Sequence, residues 1–98
     1  MKEAIQAAFE ECKNYETICY VVEKGSNLCV LSKLEGRISA QVISSIPVLG
    51  SQRNSGDVFM LATLDNLKLA SAKDFERFRV TIPRDNDQVG IGPKIKIE

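Results

Sequence analysis

The sequence predicts an α+β fold: an N-terminal helix packed on an antiparallel sheet of about five to six strands, with a short second helix near residue 71. Three observations carry this reading. Residues 2–13 repeat apolar side chains at helical spacing, residues 17–42 divide into three β-rich runs separated by short turns, and the rest of the chain alternates short apolar runs with Gly, Pro, Asn and Asp clusters. Ninety-eight residues, 44% of them apolar, make one domain over 1–98 with a single modest core.

In the first element Ile5, Ala8, Phe9 and Cys12 stand at i, i+3, i+4 and i+7, with Glu3, Gln6, Glu10 and Glu11 on the other side. Asn14 is its stop signal, and Phe9 is expected to plug the core. The run Thr17–Glu23 is β-branched and aromatic. Lys24-Gly25-Ser26-Asn27 follows as turn residues, Leu28–Leu34 resumes the strand pattern, and Glu35-Gly36 makes a two-residue hairpin turn in which the glycine can take positive φ.

These turns place Leu34 opposite Arg37 and Leu31 opposite Ala40. One face then collects Ile18, Tyr20, Val22, Cys29, Leu31, Ile38, Ala40 and Val42 as the core face. The opposite face carries Cys19, Val21, Leu28, Val30 and Leu34 from two strands but Arg37, Ser39 and Gln41 from the third. Being half apolar, it is expected to be covered by the second half of the chain or by a partner. Residues 36–46 also fit a helical repeat through Ile38, Val42, Ile43 and Ile46. Their Ile, Val and Ser content, and the tight turn before them, favour a strand that Pro47 ends.

The stretch Gly50–Gly56 has no apolar residue and is a surface loop. Asp57–Leu64 is apolar at nearly every position, as expected of a central strand buried on both faces. Ser71 with Asp74 three residues on signals the start of a short helix, with Phe75 and Phe78 inward. Phe78–Ile82 alternates as a strand closed by Pro83, and Lys94–Glu98 alternates as an edge strand whose lysines discourage pairing with other chains.

Function is less legible. Thirteen basic and thirteen acidic residues cancel, which argues against nucleic acid and against a membrane surface as partner. No apolar run approaches the roughly 18 residues of a membrane span, and the N-terminus lacks a signal-peptide layout, so a soluble, cytoplasmic protein is expected. The three cysteines, at spacings of seven and ten, imply neither a disulfide framework nor a zinc site, and reduced thiols are expected, with Cys19 the most accessible.

Histidine is absent, which removes the commonest general base and zinc ligand. No catalytic residues, metal ligands or cofactor are assigned, and no enzyme is expected. Asp85, Asp87 and Gly90 resemble the start of a calcium loop, but Val89 and Lys96 occupy positions that need oxygen ligands.

The leading expectation is a small non-enzymatic binding or inhibitor protein acting through a protein–protein surface. Val21, Leu28, Val30 and Leu34 are its candidate interface residues, and the partner is another protein or a second copy in a homo-oligomer. The alternative is a binder of an anionic or nucleotide-like small molecule through the loop at residues 50–56. There Arg53 offers a planar fork, Asn54 and Ser55 add polar groups, and Arg84 and Lys94 could assist.

Overall fold

A computed structural model of the chain describes residues 2–83 and 93–98. Helix α1 (Lys2–Glu11) leads into three antiparallel strands, β1 (Thr17–Glu23), β2 (Asn27–Leu34) and β3 (Arg37–Ser45). The short strands β4 (Val58–Met60) and β5 (Leu67–Leu69) and helix α2 (Ala72–Arg77) follow. The five strands form one sheet in the order β4-β3-β2-β1-β5, so the α+β architecture expected from the sequence is the one observed. Among the described residues no helix is long and apolar enough to cross a membrane.

Within 36–46, Arg37–Ser45 is strand and not helix, and the β2–β3 register is the expected one, with Leu34 opposite Arg37 and Leu31 opposite Ala40. The two-residue turn fixes it, with Glu35 at φ 49° and Gly36 at φ 76°. The β1 register differs from expectation by one residue. Glu23 pairs with Asn27, leaving a three-residue loop instead of four, so Val21 lies opposite Cys29 and Tyr20 opposite Val30. A one-residue slip exchanges the two faces of a strand. Cys19 and Val21 therefore join the face of Cys29 and Leu31, while Tyr20 and Val22 lie on the other. A bulge between Thr17 and Cys19 returns Ile18 to the first core cluster.

The sheet is covered on both faces. On the first, Ile5 and Ala8 of α1, with Cys12 just past its end, pack with Ile18, Cys19, Val21, Cys29, Leu31, Ala40 and Val42. Phe9 is not the expected central plug. It is half-buried at the margin of this cluster, with the Lys33 ammonium 4.6 Å from its ring centroid. On the second face, Tyr20, Val22 and Leu28 pack with Ala70, Phe75 and Phe78 of the α2 region. Tyr20 and Phe75 meet edge to face at 5.5 Å. With both faces buried, β1 is apolar at almost every position and carries no alternation from which its register could be read.

Helix α2 begins with the expected cap: Ser71 accepts from the Asp74 backbone N–H, and the Asp74 carboxylate accepts from the Ser71 backbone N–H. Burial pushes the Asp74 carboxyl up. The bonds from Ser71 and the nearby Lys68 more than offset this and hold it below its ordinary value.

Three expectations for the second half, the strands at 57–64, 78–82 and 94–98, need correction. Asp57–Leu64 is not a central strand: only Val58–Met60 is strand, at the sheet edge, because Phe59, Leu61 and Leu64 serve the first cluster while Val58 and Met60 face outward. Phe78–Ile82 is not a strand. The chain turns at Arg79, φ 59°, and the Val80 N–H donates to the Phe75 carbonyl, so Phe78 and Val80 reach the second cluster from a turn. The strand actually paired with the outer side of β1 is Leu67–Leu69, too short to stand out in the sequence.

The tail 94–98 alternates exposed Lys94 and Lys96 with half-buried Ile95 and Ile97. It lies beside the start of β1 through bonds from Lys94 N–H to Thr17 and Ile95 N–H to Ile18, without forming a regular strand. The calcium-like residues Asp85, Asp87 and Gly90 lie outside the described residues.

Candidate functional site

Two features of the folded chain bear on function. The first is the polar end of the sheet. Residues Glu23 and Asn27 flank the β1–β2 turn and face the first side of the sheet, where the 50–56 loop closes over them. Arg53 lays its guanidinium against Glu23 as a two-bond fork, Nε to Oε1 and Nη2 to Oε2, each 2.9 Å. The guanidinium also sits over the Phe59 ring, its Cζ 3.9 Å from the ring centroid.

Asn27 is fully buried and uses all four of its side-chain bonding positions. Its Nδ2 donates to Glu23 Oε1 and to the Ser51 carbonyl, both at 2.8 Å. Its Oδ1 accepts from the Ser45 hydroxyl at 2.8 Å and from the Arg53 backbone N–H at 2.9 Å. Hydrogen bonds from Arg53, supplemented by Asn27 and opposed by burial, hold the Glu23 carboxyl below its ordinary range. The same bond raises Arg53.

This cluster fastens a loop. Among the described residues no buried side-chain nitrogen or oxygen lacks a partner, so the cluster closes on itself. Asn54 and Ser55 are exposed at the tip of the loop, where the Asn54 N–H donates to the Asp57 carboxylate. Lys94 is not near Arg53: it pairs with Thr17, six residues along β1 from Glu23, or roughly 20 Å at strand spacing. Arg84 lies outside the described residues. Arg53 is legible in the sequence, but Glu23 and Asn27 are not, because their convergence depends on the β1–β2 register.

The second feature is the part of the second sheet face that α2 leaves uncovered. Residues directly opposed in register share a face, so Val58, Gln41 and Val30 form one row, Met60, Ser39 and Ser32 the next, and Arg37 and Leu34 a third. Of the four apolar residues expected at an interface, Leu28 is fully buried beneath α2, and Val21 is fully buried on the opposite face by the register change. Val30 is half-buried at the margin of the α2-side cluster, and Leu34 is half-buried on the open part. Val58 at 59% and Met60 at 39% exposure join them from β4, which the sequence placed in the interior.

The outer side of β4 is also open. Val42 N–H bonds the Asp57 carbonyl and Leu61 N–H bonds the Ile38 carbonyl, so alternation along the strand directs the N–H and C=O of Val58 and Met60 away from β3. No family model matches the sequence, and neither a curated protein nor a solved structure matches the chain.

Proposed function

We propose that the protein is a small non-enzymatic binding protein, able to act as an inhibitor by occupying a partner, and that it works through a protein–protein surface. That surface is the open part of the second sheet face together with the outer side of β4. The observation that carries this reading is the exposure of Val58 and Met60 beside half-buried Val30 and Leu34, an apolar set on a rigid sheet with polar Gln41, Arg37 and Ser32 around it. Apolar anchors with a polar rim are the composition of a protein interface.

Glu23 and Asp74 are both held low by fixed partners, which leaves neither suited to act as a general acid. Three free, buried thiols suit a reducing, cytoplasmic setting.

The test compares tagged parent, Val58→Lys and Arg53→Ala protein recovered from the native host, with co-purifying chains quantified by mass spectrometry. Lysine is well tolerated on an exposed edge strand, so Val58→Lys should stay folded while losing its partner. Arg53→Ala should retain the partner. Equal partner recovery with parent and Val58→Lys would refute the surface.

A further inference from the structure

We infer that the outer side of β4 pairs antiparallel with β4 of a second copy of this chain, in a register centred on Phe59, joining two five-stranded sheets into one. The inference deepens the protein-surface reading above and rests on it.

The two edges of the sheet differ. At the β5 side, the strand and the tail that follows the same flank of β1 carry Lys68, Lys94 and Lys96 outward, the usual protection against strand addition. At the β4 side, residues 56–61 read Gly-Asp-Val-Phe-Met-Leu, with no lysine, no proline and no described element across the unbonded groups of Val58 and Met60.

The outward groups also fix a register. In an antiparallel pair, two residues that face the partner exchange both of their backbone bonds. Only Val58 and Met60 of the strand face outward, so the symmetric solution pairs Val58 with the partner's Met60 and Met60 with the partner's Val58, about a two-fold axis at Phe59. This forms four backbone hydrogen bonds and sets the exposed Val58 side chain beside the partner's exposed Met60 on the same face.

At the axis the two Phe59 rings become neighbours. The Arg53 guanidinium above each ring is already neutralised by its own Glu23, so no net like charge is brought together there. Asp57 falls opposite the partner's Leu61. The pairing therefore opposes no like charges and covers the most exposed apolar side chains of the strand.

Sedimentation equilibrium of the purified full chain over a wide concentration range tests this, alongside Met60→Pro. Proline removes an outward N–H and costs no bond to β3, so the variant should unfold at nearly the parent's midpoint. The parent should shift from the 10.9 kDa chain toward twice that mass with rising concentration, and Met60→Pro should remain at the single-chain mass.

Register is read by mixing Val58→Cys with Met60→Cys protein under mild oxidant. Paired Cα atoms about 5.5 Å apart suit a disulfide, so the mixture should cross-link several-fold more than either variant alone, and the parent should not cross-link because its own thiols are buried. A parent monomeric throughout, a dimer unaffected by Met60→Pro, or equal cross-linking by the single variants would overturn the inference. If the parent is monomeric while Val58→Lys still loses a host partner, self-pairing fails and the protein-surface reading stands.

Discussion

Replacing Asn27 with alanine tests the polar end of the sheet as the fastening of the 50–56 loop. The change removes four hydrogen bonds of 2.8 to 2.9 Å from a fully buried side chain. A neutral hydrogen bond contributes about 1 kcal/mol net, and a buried group left unpaired costs more. Glu23 keeps its two bonds to Arg53, and water can reach the partly exposed Ser51 and Arg53 once the loop loosens, which limits the loss. The expected destabilisation is about 2–4 kcal/mol, a large share of the roughly 5–15 kcal/mol that holds a domain together. In urea, at a slope of about 2 kcal/mol per molar, the midpoint should fall by about 1–2 M. Amide exchange at Arg53 should accelerate with it, because its N–H loses the Asn27 carbonyl. Ser55→Ala, at the exposed tip of the same loop, should leave the midpoint in place. A parent-like midpoint for Asn27→Ala, with Arg53 exchange unchanged, would refute the fastening role.

Two further outcomes follow from the same residues and from the core. The Glu23 carboxyl is held below its ordinary value of 4.5, so its ion pair contributes stability above that pH and loses it as pH falls through the depressed value. Parent and Glu23→Gln should therefore differ most in unfolding midpoint near neutrality and converge as the pH is lowered below 4.5; a constant gap would contradict the assignment. For the thiols, burial pushes Cys19 and Cys29 up to about 12 and raises Cys12, so all three should react slowly with an alkylating probe in the native state and quickly in urea. Fast native labelling of Cys19 would place β1 in the other register, with Cys19 on the opposite face.

How far the sequence reached depends on what each element is asked to bury. Helix α1, the β2–β3 hairpin and the Ser71–Asp74 cap were legible because each rests on local chemistry: a 3.6-residue repeat, a two-residue turn with glycine, a side chain bonding three positions away. Strand β1 was legible as a strand but not in register, since α1 and α2 bury its opposite faces and erase the alternation. The continuous apolar run at 57–64 misled for a related reason. Phe59 and Leu61 face the core while Val58 and Met60 face outward, so the run reflects a core side and an exposed side and not two buried ones. Arg53 stood out in its loop, yet its partners Glu23 and Asn27 lie 30 and 26 residues earlier in the chain. Only the fold brings them to it.

The proposal that the protein works through a protein surface is tested most directly by native mass spectrometry of the untagged protein purified from its own host at low salt. The account predicts a species heavier than the 10.9 kDa chain by the mass of another polypeptide, a second copy or a different protein, and its loss in Val58→Lys. A single chain carrying an anion of a few hundred daltons, released by Arg53→Ala and retained by Val58→Lys, would contradict it.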